Sequence, residues 1–318
     1  MKGNVIVGQS GGPTAAINSS LAGVYRTARD RGAGKVYGML HGIRGLLEEK
    51  YVDLSQHIKS DLDIDLLKRT PSSFLGSCRF KLPEIKDDTE IYDRIFGILD
   101  KLEVEYFFYI GGNDSMDTIK KLSDYAILNG SKIRFMGVPK TIDNDLAVTD
   151  HTPGFGSAAK YIASITKEVI RDGLVYGTKS VTILEIMGRN AGWLTAAAAL
   201  AKTEDCEGVD LIYLPEVAFD TKEFVEEVRE LMKKKSTVFV AISEGIRTAD
   251  GTYISEMGGG SDYVDAFGHK QLAGSATYLA NLVGSELGCK TRGIEFSTLQ
   301  RCASHMASLT DINEAFMA

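Results

Sequence analysis

Apolar segments of strand length that run into a polar loop and then a helical pattern recur along the whole chain, and this recurrence most restricts the fold. Val5-Ile6-Val7 precedes the loop Gly8-Gln9-Ser10-Gly11-Gly12-Pro13-Thr14 and a long helix opening at Ala15. The β-branched and aromatic run Glu105 to Ile110 leads into Gly111-Gly112-Asn113-Asp114-Ser115 and the helical pattern of Met116 to Ala126. Ile133 to Val138 leads into Pro139-Lys140-Thr141-Ile142-Asp143-Asn144-Asp145. Strand-like segments alternating with helical ones imply a mainly parallel sheet covered by helices.

Strands are expected near 4–8, 35–39, 105–110 and 133–138, with helices near 15–30, 61–69, 89–102 and 115–128. Beyond residue 140 the alternation restarts: helix near 157–172, strand 180–186, helix 191–202, strand 209–214, helix 220–234 and strand 236–242. A chain of 318 residues exceeds one ordinary core. The expected fold is therefore α/β, with two doubly wound (Rossmann-like) domains, residues 1–140 and 141–318, and the active site in the cleft between them.

A net charge of -7 without a dense Lys/Arg stripe argues against nucleic acid as a partner. The one basic run, Lys233-Lys234-Lys235, closes a helix whose last carbonyls welcome cations. Cys78, Cys206, Cys289 and Cys302 have neither metal-ligand spacing nor disulfide-like clustering, which points to a reducing compartment. No apolar run is long enough for a bilayer and no signal-peptide core opens the chain, so no membrane partner and a cytoplasmic location are expected.

The loops carry the chemistry. Residues 140–145 hold one cation, one hydroxyl and two carboxylates after a strand, a set suited to phosphoryl transfer. A lysine neutralises phosphate charge, one carboxylate holds Mg2+ through water, and another accepts a proton from an attacking hydroxyl. The glycines near Gly12 let backbone N–H groups approach an anion at a helix amino terminus. In the second half, Arg189 and Glu244 follow strands, and Arg292 and Arg301 complete a set of loop-facing arginines and a glutamate that fits a sugar phosphate. Thr152 to Ser157 reads either as a phosphate loop or as a turn capping the following helix. Met257 to Asp262 reads as a flexible loop or a lid.

In the order of these loops and their residues the chain resembles the phosphofructokinase family. Ser-Gly-Gly at 10–12, Phe-Leu-Gly-Ser-Cys-Arg at 74–79, Gly-Gly-Asn-Asp-Ser at 111–115, Pro-Lys-Thr-Ile-Asp-Asn-Asp at 139–145, Met-Gly-Arg at 187–189, Ser-Glu-Gly at 243–245 and Leu-Gln-Arg at 299–301 fall in the family's order. The resemblance implies a glycolytic phosphotransferase with a phosphoryl-donor-binding first domain and a fructose 6-phosphate-binding second one. It implies that Asp143 accepts the proton of the sugar 1-hydroxyl. Thr141, Ile142, Met187, Gly188, Arg189, Glu244, Arg292, Thr298, Leu299, Gln300 and Arg301 would surround fructose 6-phosphate. Gly12, Arg79, Asp114 and Lys140 would face the donor, with Mg2+ near Asn113 and Asp145.

Within the family the chain is most similar to the pyrophosphate-dependent members. ATP-dependent members usually carry glycines where Asp114 and Lys140 stand. A carboxylate beside the would-be α-phosphate adds repulsion and bulk, whereas a lysine pairs with compact, highly charged pyrophosphate. The alternatives are an ATP-dependent enzyme and a non-catalytic regulatory subunit of the same fold. Asn113 stands where many members have an acidic metal ligand, shifting that role toward Asp114 or Asp145. Thr298 stands where Tyr or His is usual, and Ser180 where many members present an arginine. Family members continue beyond the Leu-Gln-Arg motif with further helix and strand that complete the first domain. They also place the equivalent of Arg292 in a neighbour's site, which implies a homodimer or homotetramer.

Overall fold

The computed structural model describes residues 3–258 and 274–318, so most of the glycine-rich segment read as a loop or lid, from residue 259 onward, lies outside the described residues. The chain divides into two compact units, one of Met1–Ile142, His151–Ser157 and Arg301–Ala318, the other of Asp143–Asp150 and Ala158–Gln300. The cut thus falls after Ile142, and the first unit takes back a short internal turn and the last 18 residues.

In chain order the elements are β1 Asn4–Gln9, α1 Ile17–Asp30, β2 Val36–Met39, α2 Gly42–Leu47, β3 Tyr51–Asp53, α3 Asp61–Arg69, α4 Glu90–Lys101, β4 Val104–Gly111, α5 Asn113–Leu128 and β5 Arg134–Pro139. They continue with α6 Phe155–Leu174, β6 Ser180–Ile186, α7 Trp193–Ala196, β7 Leu211–Tyr213, α8 Thr221–Met232, β8 Thr237–Ser243 and α9 Ile254–Met257. Finally come α10 Ser275–Leu287, β9 Lys290–Glu295, α11 Leu299–Cys302 and α12 Leu309–Met317.

The first unit holds the sheet β3-β2-β1-β4-β5, parallel except for β3, which pairs antiparallel with β2. Strand order reverses about β1, so the carboxyl ends of β1 and β4 flank a topological switch point, where open α/β sheets bind ligands. Apolar side chains fill both faces. Ile6, Phe107 and Tyr109 pack with Tyr92, Ile95 and Leu99 of α4 on one side. Val5, Val7 and Ile110 pack with Ile17, Leu21 and Tyr25 of α1 on the other. Burial on both faces is why these strands read as continuous apolar runs rather than alternating ones.

The second unit holds the all-parallel sheet β7-β8-β6-β9. Val181 and Ile183 of β6 and Val238, Val240 and Ile242 of β8 pack against Phe224 and Val228 of α8 and Leu279 and Val283 of α10. The expected helix over 191–202 is instead the short α7 followed by a 3-10 turn, Ala197–Ala201. Alanine-rich composition favours helix, yet a run this short takes its geometry from packing. Arg292, expected at a loop-facing position, lies inside β9, opposite Thr182 and within 3.6 Å of Asp172. Only residues after Glu295 leave the carboxyl end of that strand.

Candidate active site

In the first unit three strand ends converge on the glycine turn at 11–12. Gly11 has φ +75, a left-handed conformation that favours glycine. A Cβ on Gly12 would come within 2.7 Å of an Arg301 Nη1. Ser10 N donates to Ile110 O, tying the turn to β4, while Ser77 Oγ donates to Gly11 O at 2.6 Å and Gly11 N donates to Cys78 O. Lys140, at 5% exposure, donates from its backbone N to Gly111 O and from Nζ to Gly12 O. Two cationic side chains, Lys140 and Arg301, therefore border a turn of closely approaching backbone, an arrangement suited to a multiply charged anion.

The acidic residue of this set lies in a helix rather than a loop. Gly112 is the N-cap of α5, so Asn113 and Asp114 belong to its first turn. A carboxylate there is favourable to the helix macrodipole and occupies the place where that terminus would otherwise attract a phosphate. Gly111 cannot be larger, because a Cβ would lie 2.0 Å from Ser115 Oγ.

The segment carrying Arg79 is held by two fully buried amides that sequence reading did not single out. Gln9 accepts at Oε1 from Leu75 N at 2.9 Å and donates from Nε2 to Asn18 Oδ1. Asn18 in turn donates to Thr70 O and Ser72 O and accepts from Phe74 N. Buried polar groups this fully satisfied fix one backbone path. Arg79 itself stays exposed at the end of that path.

In the second unit the loops after β6 and β8 interlock. Glu244 N donates to Ile186 O, Ser243 Oγ donates to Gly188 O at 2.7 Å, and a Cβ on Gly245 would come within 2.0 Å of Arg189 O. Gly188, at φ +131, donates to Glu244 Oε1 at 3.4 Å. Met187 N donates to Gln300 Oε1, while Gln300 Nε2 is buried with no hydrogen-bond partner. An amide with one half used and the other buried leaves one donor open to an acceptor from water or a ligand. Thr298 and Leu299 are exposed, and Asp145 is exposed at the start of this unit.

Burial pushes the Glu244 carboxyl up to about 7. The Gly188 N–H opposes that rise, the Asp143 and Glu185 charges add to it, and the Arg189 guanidinium works against it. Asp143 and Arg189 thus both act electrostatically on Glu244 within one unit. Glu185, 5% exposed, is also pushed to about 7, first by burial, against the N–H of Ala276 at 2.8 Å, with Glu295 adding repulsion. Its folded value lies above its ordinary 4.5, so the folded state binds the extra proton. The associated stability is complete below pH 4.5 and is lost as pH rises toward 7. Glu185→Gln should remove this loss, at most about 3 kcal/mol. Urea midpoints measured from pH 4 to 8 should fall less steeply in the variant, and identical slopes would exclude this role.

The sequence-derived residues thus separate into two sets. Gly12, Arg79, Asn113, Asp114, Lys140, Thr141, Ile142 and Arg301 lie in the first unit, and Asp143, Asp145, Met187, Gly188, Arg189, Glu244, Arg292, Thr298, Leu299 and Gln300 in the second. Arg301, grouped with the sugar-phosphate residues from sequence, stands beside the glycine turn.

Residues 4–294 match the phosphofructokinase family. The chain is 44% identical over 315 residues to the pyrophosphate--fructose 6-phosphate 1-phosphotransferase of Xanthomonas campestris pv. campestris, covering 98% of this chain and 74% of that protein. It is 42% identical over 317 residues to the protein of the same name from Halomonas elongata, with the same coverage. The crystal structure of a pyrophosphate-dependent phosphofructokinase from Nitrosospira multiformis superposes with a TM-score of 0.85 at 38% identity, covering 98% of this chain and 73% of that one. By fold, by motif order and by these likenesses, the chain belongs to the phosphofructokinase family.

Proposed function

We propose that this chain transfers a phosphoryl group from pyrophosphate to the 1-hydroxyl of fructose 6-phosphate, reversibly, giving fructose 1,6-bisphosphate and phosphate. The observation that carries the donor assignment is the buried ammonium of Lys140 seated on Gly12 O, with Asp114 in the first turn of α5. Pyrophosphate is compact enough for a cation at that turn. A nucleotide α-phosphate would meet the Asp114 carboxylate. The names of the relatives at 42–44% identity agree with this reading.

In this reaction Asp143 takes the proton of the 1-hydroxyl as that oxygen bonds to phosphorus and the bridging P–O bond of pyrophosphate breaks. Lys140 stabilises the charge gathering on the leaving phosphate. Arg189 holds the sugar phosphate, Glu244 a sugar hydroxyl, and the buried Gln300 amide supplies a donor to the same ligand. Arg301, beside Gly12, places a second guanidinium at the phosphoryl group.

Enzymes of this family generally use a divalent metal. Among the described residues no cluster of three or more His, Cys, Asp or Glu could hold one. Asn113 and Asp145, each exposed in its own unit, are the residues this proposal assigns toward an Mg2+ that would keep water and phosphate oxygens as most of its ligands. Arg292, inside the exposed edge strand β9, serves the site of a second copy in a homodimer or homotetramer. Among the described residues no helix is long and apolar enough to cross a membrane, and the cytoplasm is the proposed location.

The test is one coupled assay with pyrophosphate and ATP side by side under saturating Mg2+. Turnover with pyrophosphate well above that with ATP is expected. Faster turnover with ATP would overturn the donor assignment, and none with either would support a non-catalytic subunit.

A further inference from the structure

Asp311, on the last helix, stands 168 residues beyond Asp143 in the chain, and neither motif nor spacing points to it. Its carboxylate is 2% exposed and accepts three hydrogen bonds from the turn that opens α6. Oδ1 takes Gly154 N at 2.8 Å, and Oδ2 takes Ser157 N at 3.0 Å and Ser157 Oγ at 2.6 Å. Ser308 N donates to the same Ser157 Oγ, closing the link from the α12 side. Gly154 has no side chain to cap a helix with, so the cap of α6 is delivered from α12.

The turn that Asp311 holds carries Thr141. Thr141 N donates to Pro153 O at 3.2 Å, Thr152 Oγ1 donates to Thr141 O at 2.7 Å, and Thr141 bridges Gly154 in parallel register. The opposite side of the turn meets the donor loop, since a Cβ on Gly154 would lie 2.7 Å from Thr14 Cγ2. Gly154 has φ +115, a conformation that glycine adopts freely and other residues rarely do, so this path of the turn depends on glycine at this position. The helix α12 is itself anchored. A Cβ on Gly23 of α1 would come within 2.0 Å of Phe316 O, and Lys68 Nζ lies 4.0 Å from the Phe316 ring centroid.

We infer that Asp311 is a positioning residue for phosphoryl transfer: through the 152–157 turn it sets the backbone of Thr141 and so the entry to the Thr141-Ile142-Asp143 run. This rests on the reading that this run carries the chemistry. Asp311 touches no substrate. A displacement of about 1 Å in reacting groups costs on the order of 10^2-fold in rate.

Asp311→Asn keeps shape but offers an N–H toward one of the donors it must accept, and Asp311→Ala removes the hold. At a temperature where each variant is folded, kcat should fall about 10^2-fold, while KM for both substrates stays within about threefold. Hydrogen exchange at the Thr141 amide should quicken by about tenfold or more. Glu314→Gln, which changes a residue on the same helix as Asp311 and removes its surface pair with His151, should keep kcat within about twofold. A folded Asp311→Asn protein with full kcat, or with unchanged exchange at Thr141, overturns the inference. Should that variant not fold, Ser157→Ala removes one of the three bonds, and unchanged kcat and Thr141 exchange there overturn it equally. A parent protein without pyrophosphate-dependent turnover defeats the proposed function instead, and the exchange measurement still decides the positioning.

Discussion

Asp143→Asn should leave the protein folded and able to bind fructose 6-phosphate while turnover falls by about 10^2 to 10^4-fold, the usual contribution of a general base. Asparagine has nearly the same shape as aspartate but cannot accept the proton of the 1-hydroxyl. It also changes a neighbour. The Asp143 charge is one of the influences that hold the Glu244 carboxyl up near 7, behind burial and alongside Glu185. With that charge gone the Glu244 carboxyl should titrate lower, so sugar binding in the variant should change with pH at a more acidic midpoint than in the parent. Steady-state turnover together with fructose 6-phosphate binding followed from pH 5 to 8 checks both effects. Near-normal turnover would remove Asp143 from the mechanism. An unmoved binding midpoint would uncouple it from Glu244.

The parts of this fold that sequence reveals are those whose cause is local. Val5-Ile6-Val7 and Val238 to Ile242 read as strands because both faces of each are buried, and the loops after them read as functional because glycines and charges replace apolar residues abruptly. β3 was not legible: three half-buried residues, paired antiparallel through Tyr37 to Asp53, make too short a pattern to stand out. α2 was hidden for a different reason. It begins after His41 at φ 59 and contains two glycines, so composition argues against a helix that packing against α4 stabilises.

The candidate site divides along the same line. Lys140, Asp114, Asp143, Arg189 and Glu244 each sit in a short motif beside a strand, where residue type and position together carry a signal. Gln9, Asn18 and Asp311 act across 66, 56 and 157 residues, on Leu75, Phe74 and Gly154 respectively. Their function depends on which backbone groups the fold leaves for them, and no local pattern encodes that. Arg301 shows the intermediate case: its motif marked it as a phosphate ligand, and only the fold shows its guanidinium at Gly12.

Donor choice offers the sharpest test, because two residues should fail in opposite ways. Lys140 is buried and holds Gly12 O, so Lys140→Met, which keeps the volume of the stem, isolates the loss of charge from the loss of packing. Pyrophosphate-dependent turnover should fall roughly 30- to 10^3-fold, equivalent to about 2–4 kcal/mol of barrier, because a fixed cation no longer meets the charge that develops on the leaving phosphate. Asp114→Gly should leave that stabilisation in place and instead admit ATP, since the first turn of α5 regains an amino terminus open to an α-phosphate. Glycine at this position should cost about 1 kcal/mol of helix stability, so thermal melts must accompany the rates. Replacing both residues by glycine should shift preference toward ATP further than either change alone, because repulsion is removed while the advantage of pyrophosphate is lost. Competition between ATP and pyrophosphate in each variant measures the shift directly. An Asp114→Gly protein that still excludes ATP would show that the carboxylate is not what keeps nucleotides out.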